Sequence, residues 1–172
     1  MKFILYHSTN DKCIKSILKE NEMIPYKIPT FSGKEKTEYL YFNLFFKRSF
    51  KHPFFKETNF IQNGLLFNED FLYNLLDKTE IYFNPYWSGY VGKDSIKLTK
   101  KNFNEKLKVI KKLIMKSKLP YPMTHEIMIK GKLENIKENL FGIVYHKKEK
   151  FPGIKIFGNE IKPNKNFYFN SS

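Results

Sequence analysis

Cysteine and arginine are almost absent from this chain, and so is any long run of apolar residues. Cys13 is the single cysteine among 172 residues, which excludes an internal disulfide and any metal site built from several cysteines. Its position inside a helix-like segment predicts a packed side chain rather than a nucleophile. The apolar runs are too short to cross a bilayer, and residues 3–5 are too short an apolar core for a signal peptide. We therefore expect a cytoplasmic protein that does not contact a membrane.

Several common catalytic motifs are also missing. The chain has no phosphate-binding Walker loop, no G-x-G-x-x-G dinucleotide turn and no G-x-S-x-G nucleophile elbow. His52, His125 and His146 are not spaced as ligands of one metal ion. The sequence therefore argues against the families that carry these motifs, and it predicts no bound metal.

Positive charge, by contrast, is abundant. The chain has 31 Lys and Arg residues against 17 Asp and Glu, a net charge of +14. Such a field attracts polyanions and speeds their encounter with the protein. Nine of the lysines lie between Lys97 and Lys118, where Glu105 is the one acid. This run is typical of a solvated helix face, and it also fits the electrostatic footprint of a nucleic acid.

The apolar pattern predicts a single mixed α+β domain over residues 1–172. Hydrophobic residues make up 41% of the chain, enough for a core in a domain of this size. Alternation and aromatic runs predict short strands at residues 3–9, 39–46, 64–67, 80–83, 125–130 and 141–145. Helical spacing predicts helices over residues 10–22, 68–76 and 99–116. No regular βαβ alternation is present, so a doubly wound sheet is not expected.

The first predicted strand ends in a polar turn that contains a histidine. His7, Ser8 and Thr9 follow the apolar residues 3–6, and a helix-like run begins at once. Thr9 or Asn10 can cap that helix with a side-chain oxygen. A ligand can bind at such a turn, although a histidine in this position, taken alone, is more often a satisfied interior residue.

Three further side chains stand out downstream. Tyr41 lies in the aromatic strand, Arg48 is the sole arginine, and Glu126 lies on the strand after a Pro-Tyr-Pro loop. Alternation there places Glu126 and Lys130 on one face of the strand, opposite His125. Each has an ordinary interpretation: a core tyrosine, a surface arginine, and a solvent-facing strand glutamate.

In this order, the segments around these residues resemble the ADP-ribosyltransferase superfamily. Residues 5–9 (LYHST) look like its first motif, and residues 39–43 (YLYFN) with Arg48 look like the Tyr-Phe-x-x-Arg region of the DarT-like toxins. Residues 123–131 (MTHEIMIKG) look like the final motif, in which a glutamate begins a strand. The chain departs from the pattern at Ser8, where a glycine is common, and in the spacing of Arg48.

The resemblance implies a single ADP-ribosyltransferase-like domain, with short mixed and antiparallel strands in a split β core flanked by helices. It implies cleavage of NAD as co-substrate, with Glu126 and Arg48 as the catalytic residues. The residues implied to bind NAD are His7, Ser8, Thr9 and Tyr41, with Tyr39 as an alternative to Tyr41. The residues implied to bind the target are Tyr121, Met123, Thr124 and His125.

The resemblance also implies a partner and a biological setting. Relatives of the DarT-like type modify nucleic-acid bases and act as toxins in toxin–antitoxin or anti-phage defence systems, which implies a neutralising antitoxin protein. The sequence leaves open whether the target is DNA or RNA. Two other functions remain: a non-enzymatic basic nucleic-acid-binding module, and an RNA 2′-phosphotransferase, which the single arginine Arg48 disfavours.

Overall fold

A computed structural model of the chain describes residues 3–25, 38–46, 63–85, 91–116, 125–145 and 147–157. Within these ranges the strands are β1 (Phe3–Ser8), β2 (Glu22–Met23), β3 (Tyr39–Phe46), β4 (Gly64–Asn68), β5 (Ile81–Asn84), β6 (Ile96–Leu98), β7 (Glu126–Lys130), β8 (Leu133–Glu134), β9 (Leu140–Val144) and β10 (Ile156–Phe157). The helices are α1 (Asp11–Glu20), α2 (Glu69–Leu75), α3 (Phe103–Lys116) and α4 (Ile136–Asn139). The prediction of a mixed α+β protein is confirmed.

Eight of these strands form one mixed sheet in the order β10-β9-β4-β1-β3-β7-β5-β6. Its pairs are antiparallel except for β9 and β10, which run parallel. The strands β2 and β8 form a separate two-stranded sheet. The first strand of the chain therefore lies inside the large sheet, between β3 and β4. Among the described helices, none is long and apolar enough to cross a membrane.

The four helices pack on one face of the large sheet. Alternate strand residues such as Leu5, Phe42 and Ile127 meet the apolar stripes of the helices in the main core. The helix residues in that core are Ile14, Leu18, Phe71, Leu72, Phe103, Leu107, Ile110 and Ile136. A smaller cluster around Tyr6 and Leu66 covers the opposite face of β1, β4 and β9. The remaining part of that opposite face belongs to β3, β7 and β5.

The start of α1 follows directly from its sequence. The side chain of Asn10 accepts a hydrogen bond of 2.8 Å from the backbone N–H of Cys13, so Asn10 is the cap. The helix ends at Glu20, two residues before the predicted end at residue 22, and its C-cap Asn21 adopts a left-handed conformation. The prediction that Cys13 is packed is wrong: its side chain is exposed, because the buried stripe of α1 runs through Ile14 and Leu18.

A polar cluster joins α1 to the segment after β9. The hydroxyl of the buried Tyr145 contacts both Asp11 and Glu149. Nζ of Lys147 lies 2.8 Å from Oδ2 of Asp11, and Nζ of Lys15 lies 3.0 Å from Oε2 of Glu149. The contacts of Asp11 and Lys15 with Tyr145, Lys147 and Glu149 link residues more than a hundred positions apart in the chain, so they fix the outer side of α1 to the end of the sheet.

This cluster predicts a loss of stability in acid. Hydrogen bonds from Lys147 and Tyr145 lower the pKa of Asp11, and those from Lys15 and Tyr145 lower the pKa of Glu149. Each folded-state pKa lies below the unfolded one, so the stabilisation is present above the unfolded pKa of about 4 and is lost as the pH falls through the folded pKa. Urea unfolding at a series of pH values measures this loss. We expect a shallower acid dependence in the double variant Asp11→Asn, Glu149→Gln.

The matched control for this prediction is Glu20→Gln, because Glu20 lies on the exposed side of the same helix. We expect this variant to follow the acid dependence of the wild-type protein. If the free energy of unfolding of the double variant falls with pH as it does in the wild-type protein, the cluster does not control the loss of stability in acid.

Candidate active site

Glu126 is a buried carboxylate at the first position of β7. Its side chain is 1% exposed. The predicted alternation is correct, since Ile127 and Ile129 enter the main core while Glu126 lies on the opposite face. The alternative that Glu126 faces solvent is therefore wrong. Burying a carboxylate is costly unless it is hydrogen-bonded, and such groups concentrate at functional sites.

Asparagines lie directly across from Glu126 on both neighbouring strands. Asn43 on β3 and Asn84 on β5 are its register partners. Asn84 is itself 2% exposed, and its amide nitrogen Nδ2 lies 3.4 Å from Oε2 of Glu126. An amide N–H can donate to a carboxylate oxygen, so Asn84 compensates in part for the lost hydration of the carboxylate.

Tyr41 lies on the same face of the sheet as Glu126. It is two residues before Asn43 on β3 and pairs with Met128 of β7. Burial and the negative charge of Glu126 raise the pKa of Tyr41 to about 12, so its hydroxyl is neutral at physiological pH. Tyr39 shares this face but pairs with Lys130, four residues along β7 from Glu126, whereas the partner of Tyr41, Met128, is two residues away. Burial raises the pKa of Tyr39. Tyr41 is therefore the tyrosine closer to the carboxylate.

His7 lies where β1 and β3 part. Their ladder ends at the pair Tyr6–Asn43, whereas β1 continues to pair with β4 as far as Ser8 and Gly64. Beyond that point Nδ1 of His7 lies 2.9 Å from the backbone carbonyl oxygen of Tyr41. Because a strand carbonyl points towards the adjacent strand, this bond places the imidazole edge between β1 and β3.

The proton position on His7 follows from this contact. A carbonyl oxygen can only accept, so Nδ1 carries the hydrogen. Burial lowers the pKa of His7, and the hydrogen bond to Tyr41 opposes that shift only in part. The ring is therefore neutral at physiological pH, and its other nitrogen, Nε2, is an acceptor.

The residues after His7 close this end of the sheet. Ser8 is half-buried and pairs with Gly64, and the backbone N–H of Thr9 donates to the carbonyl of Asn63 over 2.9 Å. Ser8 alternates with His7 and so shares the face that carries Glu126. The turn thus holds His7, Ser8 and Thr9 beside the strand that carries Tyr41.

Of the predicted target-binding residues, the described part of the chain contains only His125. Its side chain is 6% exposed and stacks on Phe83 with ring centroids 5.9 Å apart. It belongs to the helix-covered face, opposite Glu126, and burial lowers its pKa. The predicted residues Arg48, Tyr121, Met123 and Thr124 lie outside the described residues.

Asn84 is a site residue that the sequence patterns did not identify. The predicted strand over residues 80–83 stops before it, whereas the structure includes Asn84 in β5 and buries it. The alternation of Ile81 and Phe83 shows the apolar face of this strand but does not reveal that the next residue is buried. Buried polar residues in such positions need partners.

The described ranges contain no group of three or more His, Cys, Asp or Glu side chains placed to hold a metal ion. The candidate site spans adjacent strands: Ser8 on β1, Tyr41 on β3 and Glu126 on β7 share one face. His7 lies at the end of β1 with its ring against Phe42 on the helix-covered face, 5.3 Å between centroids. The chain matches no known protein family, no curated protein and no solved protein structure.

Proposed function

We propose that this protein is an NAD-dependent mono-ADP-ribosyltransferase with an ADP-ribosyltransferase-like fold, which transfers ADP-ribose to a base of DNA or RNA. The observation that carries the proposal is the burial of Glu126 near Tyr41, with only β3 between its strand and β1, which carries His7. These are the three positions at which the sequence resembles the superfamily. A carboxylate held out of water in this way suits a reaction that develops positive charge.

Glu126 would act on both halves of the reaction. Breaking the bond between ribose and nicotinamide leaves the electron pair on nicotinamide and builds positive charge on the ribose. A fixed carboxylate in a site of low dielectric constant stabilises that charge more strongly than water does. The base nitrogen then bonds to the ribose carbon, and Glu126 takes the proton that this nitrogen loses.

The neighbouring residues would bind NAD. The aromatic face of Tyr41 suits the flat, positively charged nicotinamide ring. The acceptor nitrogen Nε2 of His7 can receive a hydrogen bond from a ribose hydroxyl, while backbone groups at Ser8, next to Thr9, would hold the nicotinamide amide. Arg48 would pair with the pyrophosphate or help to activate the target base.

The charge of the chain supports a nucleic acid as the second substrate. Lys101, Lys108 and Lys112 are exposed on or just before α3, the helix that precedes the predicted target loop. This observation also favours a second candidate, a basic module that binds nucleic acid without chemistry. Such a module needs no buried carboxylate, so Glu126 favours the enzyme. By the same resemblance, the enzyme would act as a defence toxin and have an antitoxin partner.

Mass spectrometry of oligonucleotides tests the proposal. DNA and RNA oligonucleotides are incubated with the protein and NAD. We expect a mass gain of one ADP-ribose on one of the two polymers, with nicotinamide released in equal amount. Protein that binds the oligonucleotides in a salt-sensitive way but neither cleaves NAD nor changes their mass is a basic module.

The proposed role of His7 in binding NAD can be tested separately from its hydrogen bond to Tyr41 in the sheet. In His7→Asn, the side-chain amide can still donate to the carbonyl of Tyr41, but the acceptor nitrogen is lost. We expect NAD affinity to fall on the order of tenfold, the loss of one hydrogen bond of about 1.4 kcal/mol. Asparagine also loses the ring contact with Phe42, so a melting curve measures the structural effect separately. Isothermal titration measures the affinity. Glu126→Gln should weaken NAD binding less, and the reverse order would contradict the assignment of His7.

A further inference from the structure

Behind Glu126, a chain of hydrogen bonds runs through the β5–β6 hairpin. The backbone N–H of Gly92 donates to the hydroxyl oxygen of Ser95 over 2.8 Å. That hydroxyl lies 2.5 Å from Oδ1 of Asn84, whose Nδ2 lies 3.4 Å from Oε2 of Glu126. The same Nδ2 lies 2.9 Å from the sulfur of Met128, the next residue of β7 on this face. The chain of contacts is therefore continuous from the hairpin backbone to the carboxylate.

The donor and acceptor properties of these groups fix the direction in which each hydrogen bond of the series is donated. A backbone N–H can only donate, so the oxygen of Ser95 accepts from Gly92 and its own hydrogen is available to Asn84. Asn84 must accept it with Oδ1, which turns its NH₂ group towards Glu126. Each bond in such a chain polarises the next, which strengthens the last donor where it meets a negative charge.

The burial of these hydrogen bonds indicates that they are a fixed part of the structure. Asn84 and Glu126 are both nearly inaccessible, and Ser95 is half-buried. Asn84 also sits in register with Glu126, so its position is fixed by the β5–β7 ladder. An amide held from both the backbone and the hydroxyl has little rotational freedom left.

We propose that Asn84, held by Ser95, is a positioning residue that fixes the orientation of the Glu126 carboxylate. Asn84 touches neither NAD nor the target; it acts through Glu126 by holding Oε2, which sets the plane of the carboxyl group against the reacting ribose. This inference rests on the proposed function for its catalytic consequence. The contact itself does not, and it can be tested separately.

The kinetic test uses isosteric and conservative variants. Asn84→Asp keeps the shape but replaces the donor NH₂ with an oxygen and adds a second carboxyl beside Glu126, so Asn84→Leu, which has a similar size with neither donor nor charge, is measured with it. Ser95→Ala removes the hydroxyl. We expect each to lower kcat for ADP-ribosyl transfer about tenfold to a hundredfold, with KM for NAD nearly unchanged, because misorientation of a catalytic group affects the transition state more than ground-state binding. Ser95→Thr, which keeps the hydroxyl, should retain more activity than Ser95→Ala.

Asn102→Ala is the matched control. Asn102 also makes several hydrogen bonds through its side chain, to Thr99 and Lys97, but it lies at the start of α3, away from Glu126. We expect it to lower stability without lowering kcat. An unchanged kcat in Asn84→Asp, or an equal loss in Asn102→Ala, would overturn the positioning role.

A spectroscopic readout separates this inference from the proposed function. In the ¹H–¹⁵N spectrum, the side-chain amide signals of Asn84 should move in Glu126→Gln and in Ser95→Ala, and should stay in place in Asn102→Ala. If these shifts are seen in a protein that never cleaves NAD, the contact stands and the proposed function fails. If transfer occurs but the Asn84 signals do not respond to Glu126→Gln, the positioning inference is wrong and the function stands.

Discussion

Replacing Glu126 with glutamine is expected to lower the rate of ADP-ribosyl transfer by about 100- to 1,000-fold, the usual cost of losing one electrostatic contact to a transition state. Glutamine has the same size and can still accept from Asn84 with its amide oxygen. Only the negative charge is lost. Removing a neutral amide from water costs less free energy than removing a carboxylate. We therefore expect the melting temperature to stay the same or rise.

Single-turnover transfer from NAD to an oligonucleotide measures this effect, and a melting curve excludes unfolding as its cause. The control is Glu105→Gln, which changes the net charge equally but lies exposed on α3. It should alter nucleic-acid affinity slightly and leave the chemical step intact. Transfer by Glu126→Gln at the wild-type rate would show that the buried carboxylate has another role.

The second large effect is expected at Gly64, where β4 meets the turn after β1. A Cβ at this position would lie 2.2 Å from Cε2 of Tyr6 and 2.6 Å from the backbone carbonyl oxygen of His7. The ring can move, but the carbonyl belongs to the central strand and cannot yield cheaply. We therefore expect Gly64→Ala to lower the free energy of unfolding by about 3 kcal/mol. Urea unfolding measures it.

Gly153 provides the comparison for this effect. It has a left-handed conformation (φ +72°), and a Cβ there would meet no atom within 4 Å. Gly153→Ala should therefore lower the free energy of unfolding only by the strain of a left-handed alanine, about 1 kcal/mol. Equal losses in the two variants would mean that the contact with His7 is not what makes Gly64 necessary. The folded fraction of Gly64→Ala should also bind NAD more weakly, because the substitution displaces the backbone of His7.

The sequence predicts the longer elements of this fold well. The bounds of β3 agree with the predicted aromatic strand, and α3 ends where the helical spacing ends. Long periodic segments bury a whole face, so their pattern is a strong signal. The strands β2, β6, β8 and β10 and the helix α4 were not individually predicted, since two to four residues are too few to show a period.

The site was predictable only in part, for a physical reason. Alternation shows that Glu126 and Ile127 lie on opposite faces of a strand, but not whether the polar face is covered. That depends on which strands come to lie beside β7, and the pairing with β5 joins residues more than forty positions apart. The partnership of Asn84 with Glu126 is a property of this register, so no local pattern reveals it.

The cluster around Tyr145 has a consequence for the order in which the chain becomes stable during synthesis. Helix α1 is synthesised early, directly after β1, but its polar partners Tyr145, Lys147 and Glu149 are synthesised more than a hundred residues later. A nascent chain can pair β1 with β3 and β4 while α1 still lacks these partners. We therefore expect a ribosome-bound fragment that stops before Tyr145 to be cut readily by protease at α1, and resistance to appear only once Glu149 has emerged.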